Sequence, residues 1–190
     1  SNKHISWLES NFDNVEVRLV DLTGTYDKFN EQMKEHDLSS LALANSRARL
    51  RMTTLYAIAS STGGIVVGTG NKVEDFGVGF FTKYGDGGVD ISPIADLMKS
   101  EVFALGAALD VLEDIQNATP TDGLWNDGRT DEDQMGATYD ELEWAMEHEA
   151  NPSGETLSER QRTVLAIFRS FNTSNAHKMN PIPIFKRQDS

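Results

Sequence analysis

The run Ile65-Val66-Val67-Gly68-Thr69 limits the architecture more than any other part of this chain. It is short, β-branched and without polar alternation, the pattern of a strand buried on both faces of a parallel sheet. A helical pattern over residues 44–60 precedes it, with Met52, Leu55, Tyr56 and Ala59 recurring at three- and four-residue steps, and Gly63-Gly64 between them predicts a helix stop. Further upstream, residues 15–20 alternate and then give two apolar residues, which predicts a strand. Residues 25–36 carry Phe29 and Met33 one turn apart, which predicts a helix. Strand and helix in alternation imply an α/β domain, a parallel sheet flanked by helices, with ligands at the loops after the carboxyl ends of the strands.

Residues 77–90 are glycine-rich and lack either period. Pro93 is expected to open a helix containing Leu97, Val102, Leu105 and Leu109, and residues 117–131, with Pro120, Gly123 and Gly128, read as a loop. A helix is expected over 132–149, then a capping box in Thr156-Leu157-Ser158-Glu159 before a helix with Leu165, Phe168 and Phe171, then an extended tail over 179–185. A length of 190 residues implies one domain spanning 1–190, and 38% hydrophobic with 25% charged residues excludes a disordered or fibrous chain. Cysteine is absent, which removes disulfides, thiolate metal sites and cysteine nucleophiles. The net charge of −13 argues against nucleic-acid and anionic-membrane partners. Apolar runs are too short to cross a bilayer and no signal-peptide pattern opens the chain, so a cytoplasmic location is expected. Ser1 stands where a methionine is usual and Ile5-Ser6-Trp7-Leu8 reads as helix interior, so a further segment is expected upstream.

Charge is unevenly spread. Between residues 45 and 99 six basic side chains (Arg47, Arg49, Arg51, Lys72, Lys83, Lys99) outweigh five acidic ones (Glu74, Asp75, Asp86, Asp90, Asp96) in a strongly acidic chain, so an anion can be held locally. Arg47 and Arg51 share one helix face and Arg49 another; taken alone they read as a solvated basic helix. Thr69 and Glu74 follow a strand end, where a hydroxyl can meet a nucleotide and a carboxylate can hold Mg²⁺; an ordinary exposed acid is the alternative for Glu74. Phe80 to Asp90 combines glycines with three aromatics, Lys83, Asp86 and Asp90, which suits stacking, an anion contact and hydroxyl recognition, and a plain turn is the alternative. Ser61-Thr62-Gly63-Gly64-Ile65 resembles a phosphate loop but precedes the strand and lacks the residues such a loop needs, so it reads as a helix stop. His4, His36 and His148 have no spaced partners and read as surface residues, and His177-Lys178 by itself reads as tail.

Three segments in order, Asn45-Ser46-Arg47-Ala48-Arg49-Leu50-Arg51-Met52, Val67-Gly68-Thr69-Gly70-Asn71-Lys72-Val73-Glu74 and Phe81-Thr82-Lys83-Tyr84-Gly85-Asp86-Gly87-Gly88-Val89-Asp90, resemble the NAD⁺ synthetase family of the ATP pyrophosphatase superfamily. Pro93-Ile94-Ala95-Asp96-Leu97-Met98-Lys99, Pro120-Thr121, Asp131-Glu132, Tyr139-Asp140 and His177-Lys178 follow in the family's order. The resemblance implies a Rossmann-like, adenine nucleotide alpha hydrolase-like fold. It implies ATP-dependent amidation of nicotinic acid adenine dinucleotide (deamido-NAD) with ammonia, through an adenylylated carboxylate, to NAD⁺, AMP and pyrophosphate. By resemblance Thr69, Lys99 and Thr121 are ATP contacts, Glu74 is the Mg²⁺ carboxylate, and Arg49, Lys83, Asp90, His177 and Lys178 contact the deamido-dinucleotide. A homodimer is implied as well, and no side chain is expected to act as a covalent nucleophile.

Two departures stand out. The family's Ser-Gly-Gly-x-Asp-Ser loop, which follows its first strand and carries a further Mg²⁺ carboxylate, is absent from these residues. The expectation is a domain lacking its first strand and phosphate loop, with little turnover by itself. One residue more than the family spacing also separates Glu74 from Phe81-Thr82-Lys83-Tyr84. Another ligase of the same superfamily, or a non-catalytic nucleotide-binding paralogue, remains the alternative.

Overall fold

Ser39 sets the start of the longest helix: its side chain accepts the Ala42 N–H at 3.2 Å, and the chain stays helical to Thr62. Gly63, at φ 67°, ends it as the glycine pair predicts, with the Gly64 N–H donating to the Ala59 carbonyl at 2.8 Å. A computed structural model describes residues 2–125, 127–152 and 154–187. Among them the helices are α1 (Asn2–Asn11), α2 (Thr23–Gln32), α3 (Ser40–Thr62), α4 (Lys99–Ala108), α5 (Glu113–Gln116), α6 (Asp131–Met135), α7 (Tyr139–Ala150) and α8 (Glu159–Met179). A 3₁₀ turn (Lys34–His36) follows α2, and a π-helical turn (Val73–Val78) lies between α3 and α4.

Extended structure differs from expectation. Residues 15–20 form no strand; Leu19 is 82% exposed, and among the described residues none pairs with the segment as a strand. Residues 65–69 pair only through a parallel bridge from Val67 to Ile91, with the Gly68 N–H on the Ile91 carbonyl at 2.7 Å and the Asp90 N–H on the Val66 carbonyl at 2.9 Å. The parallel direction is as expected, but among the described residues the sheet is reduced to this bridge. Strand pairing needs a partner distant in sequence, and a β-branched run does not specify one.

Helix boundaries moved for local reasons. The helix expected from Pro93 starts at Lys99, because residues 92–97 close turns from Ser92 to Ala95 and from Ile94 to Leu97, and the Met98 N–H finds Glu101 Oε2 at 2.7 Å. The helix expected over 132–149 is divided at Gly136 (φ 76°), after which Thr138 and Glu141 cap α7 reciprocally. The box before α8 is Ser158 with Gln161, two residues beyond Thr156. α8 runs on to Met179, so His177 and Lys178 belong to its last turn and not to a tail.

The core lies where the π-turn meets α7 and α8. Val73 and Val78 pack with Met135, Ala137, Leu142, Ala145, Val164, Leu165 and Phe168 in one buried cluster. Leu142 is fully buried, which stabilises by about 1.5–3 kcal/mol relative to exposure. No helix among the described residues is long and apolar enough to cross a membrane.

Candidate functional site

The π-turn aims the site. Its widened turn lets the Gly79 and Phe80 N–H groups both reach the Glu74 carbonyl, the latter at 2.8 Å. Gly79 is required at its end: φ is 61°, and a Cβ there would stand 2.5 Å from Asn175 Cβ. Carbonyls left over by the turn and the segment after it are taken by α8. Asn172 Nδ2 donates to Gly77 and Asn175 Nδ2 to Val78, each at 2.8 Å, and Lys178 Nζ donates to Gly79 and Phe81, each at 2.9 Å.

Glu74 projects from this turn into a cavity of about 820 Å³ that is also lined by Thr69, Lys99, Thr121, Asp131 and Lys178. Lys99, at the start of α4, places Nζ 2.8 Å from Glu74 Oε1, with the two side chains only 17% and 16% exposed. Tyr139, the first residue of α7, donates its hydroxyl to the same Oε1 at 2.5 Å and lies 3.2 Å from Asp131 Oδ2; its ring centroid is 4.6 Å from the Lys99 ammonium. Burial first, then the Glu74 charge, holds the Tyr139 phenol far above its ordinary range, so it acts as a neutral donor. Burial also raises the Asp131 carboxyl, and its Oδ1 is buried without a hydrogen-bond partner. Asp75, beside Glu74, is pushed up to about 6 by burial and then by the Glu74 and Asp86 charges.

Of the residues singled out in sequence, Thr69, Glu74, Lys99, Thr121 and Lys178 thus share one cavity. Lys83 lines a smaller one of about 290 Å³ that meets the first at Phe81, Val89 and Lys178. Arg49 Nε donates to the Lys83 carbonyl at 3.2 Å, and Lys83 Nζ to the His177 carbonyl, so these three form a connected strip; the His177 ring is exposed. Asp90 stands apart. Its carboxylate accepts the Val66 N–H at 2.7 Å and the Tyr56 hydroxyl at 3.0 Å, securing the parallel bridge. Burial lowers the Lys178 ammonium from its ordinary value; with two of its three protons on carbonyls, one donor remains.

Arg47 and Arg51 do share a face, and it is not merely solvated: they donate to the carbonyls of Leu124 and Gly123 at 2.8 and 3.1 Å, tying the loop that carries Thr121 to α3. Sequence reasoning attached no role to Tyr139 or Asp131 and did not single out Asn172 and Asn175. The polar steps Asn172, Asn175, Lys178 were the available signal, whereas a hydroxyl reaching across elements has no spacing signature. Among the described residues no group of three or more His, Cys, Asp or Glu side chains is assembled to hold a metal.

The sequence profile of the family described as NAD synthase matches residues 4–182. An NH(3)-dependent NAD(+) synthetase of Methanococcoides burtonii is 41% identical over 134 residues, 70% of this chain and 50% of that protein. A protein of the same name from Alkaliphilus metalliredigens is 47% identical over 124 residues, 64% and 49% of the two. The chain spans about half the length of these curated relatives. Among solved structures, NMN synthetase from Francisella tularensis superimposes with a TM-score of 0.81 at 33% identity, covering 96% of this chain and 71% of that one. An NH3-dependent NAD synthetase from Campylobacter jejuni gives 0.70 at 25% identity, covering 91% and 66%. With nearly its whole length matched by one profile, the chain belongs to the NAD synthase family.

Proposed function

We propose that this chain forms the synthetase part of an ATP-dependent ligase that amidates deamido-NAD with ammonia. The carboxylate oxygen of the nicotinate attacks the α-phosphorus of ATP and pyrophosphate leaves; ammonia then attacks the acyl-adenylate carbonyl and AMP leaves. Both steps develop negative charge on oxygen, which fixed cations in a water-poor cleft stabilise better than solvent does. The observation that carries the reading is the convergence of Thr69, Glu74, Lys99 and Thr121 on one cavity of about 820 Å³ in a chain of this family. In this reading Thr69, Lys99 and Thr121 contact ATP, and Lys99 exchanges Glu74 for the phosphates. Arg49, Lys83, His177 and Lys178 hold the dinucleotide along the rim. Asp90 joins the same contact set, once its carboxylate exchanges the Tyr56 hydroxyl for one of the substrate.

The donor set suits Mg²⁺. Glu74 has one oxygen engaged, and Oε2 meets no protein donor among the described residues; Asp131 offers a second carboxylate oxygen without a partner in the same cavity. One or two carboxylates completed by substrate phosphates is how Mg²⁺ is commonly held. When bound, it supplies charge neutralisation to the phosphates. A homodimer and a cytoplasmic setting belong to the same proposal.

A second reading concerns the acid. The solved neighbour that covers 96% of this chain is named an NMN synthetase, which favours the mononucleotide as acceptor. Calorimetry with Mg·ATP, deamido-NAD and nicotinic acid mononucleotide separates the two. The expected result is binding of Mg·ATP, and of deamido-NAD in preference to the mononucleotide, with deamido-NAD binding abolished in Lys83→Ala. Preference for the mononucleotide installs the second reading, and absence of nucleotide binding overturns both.

A further inference from the structure

Glu74 is held on one oxygen only. Oε1 accepts both Lys99 Nζ at 2.8 Å and the Tyr139 hydroxyl at 2.5 Å, while Oε2 receives no protein donor among the described residues. We propose that Tyr139 is a positioning residue that fixes the Glu74 carboxylate through Oε1, so that Oε2 is kept for a divalent cation. This rests on the Mg²⁺ role given to Glu74 above.

A phenol has one proton to give. Glu74 Oε1 is nearer than Asp131 Oδ2, 2.5 against 3.2 Å, so the proton belongs to Glu74 and Asp131 is left as an acceptor. The tyrosine itself cannot swing away. It is buried, its N–H donates to Glu132 Oε1 at 2.9 Å, and the Thr138 cap fixes the helix start it occupies. Its ring also lies 4.6 Å from Lys99 Nζ, so one side chain sets both members of the ion pair. Without the hydroxyl only Lys99 anchors that oxygen, and the broad terminal torsion of Glu74 lets the carboxylate plane turn about the single contact. The direction in which the second oxygen points would then be fixed only part of the time.

The test is a double-mutant cycle read by electron paramagnetic resonance of Mn²⁺·ATP, with Mn²⁺ standing in for Mg²⁺, on the chain and its Tyr139→Phe, Glu74→Gln and doubly substituted forms. The expected result is a loss of about tenfold in Mn²⁺·ATP affinity for Tyr139→Phe, the scale usual for a partner of a metal ligand. No further loss is expected once Glu74 is already Gln, and thermal melting should show that Tyr139→Phe still unfolds cooperatively. An unchanged affinity, or a loss that adds fully to that of Glu74→Gln, overturns the proposal, because a merely structural tyrosine would act whatever stands at 74. Should the phenylalanine form not fold, ¹⁹F resonances of the chain labelled with 3-fluorotyrosine take its place. The Tyr139 signal must then move in Glu74→Gln and on adding Mg·ATP, and a stationary signal refutes the inference. If the unsubstituted chain fails to bind Mn²⁺·ATP, the function reading falls and takes this inference with it; if it binds and the cycle is additive, this inference falls alone.

Discussion

Glu74 and Lys99 lie 2.8 Å apart with most of both side chains out of water, a situation in which each charge depends on the other. Removing one partner strands the second, whereas removing both removes the problem. Glu74→Gln or Lys99→Met alone is expected to lower unfolding free energy by about 1–3 kcal/mol, the usual cost of an unsatisfied buried group. The double substitution is expected to cost less than the sum, and urea titrations of the four proteins measure this; strictly additive losses would show that the pair is not coupled. At this scale the sequence told charge but not engagement. The basic excess around residues 45–99 and the acid after Thr69 were visible, and Glu74 and Lys99 do meet. Asp90 looked equally available, yet its carboxylate is taken up by the Val66 N–H and the Tyr56 hydroxyl, and neither contact follows from a spacing rule.

The π-turn and α8 form the element on which the site depends. Each Asn amide on α8 satisfies a carbonyl that the widened turn leaves open, so truncating one exposes the turn directly. Asn175→Ala is expected to cost about 1–3 kcal/mol for the bared Val78 carbonyl and to speed amide hydrogen exchange at Gly79 and Phe80 ahead of the amides of α7. Equal acceleration throughout α7 would mean that the amide supports the whole core and not the turn. Legibility here followed the range of the forces involved. α3 was readable because its periodic residues and the Gly63-Gly64 stop are local, and the cap of α8 differed from expectation by two residues, whereas the break at Gly136 that divides α6 from α7 was not expected. The π-turn was not legible, because the amides that satisfy its carbonyls come from residues about a hundred positions later. The strand at 15–20 failed for the same reason in reverse: alternation was present and no partner was.

On the scale of the whole molecule, burial is concentrated in one cluster, with smaller buried patches at Ala44, Ala48 and Ala59 of α3 and at Val66. The core joins the π-turn, α7 and α8, and exposed guanidinium–carboxylate pairs join α7 to α8, Arg160 with Glu141 and Arg169 with Glu149. Hydrogen bonding to those arginines holds both carboxyls below the ordinary glutamate value of 4.5. A carboxyl lowered by folding stabilises fully above its unfolded value and loses that contribution as pH falls through the folded one. The charge of −13 acts in the other direction, since self-repulsion eases as pH falls from neutral. The melting temperature at low salt is therefore expected to rise from about pH 8 to about pH 5 and to fall below about pH 4.5. Added salt should flatten the neutral limb, and Arg160→Ala should make the acid limb shallower. A profile that only rises or only falls across that range would contradict the balance. The Lys178 ammonium spans the two cavities while tethered to the carbonyls of Gly79 and Phe81. An occupant on either side that recruits its last proton alters what the other side meets. By thermodynamic reciprocity, two guests that both need that proton oppose one another's binding to the same degree whichever enters first.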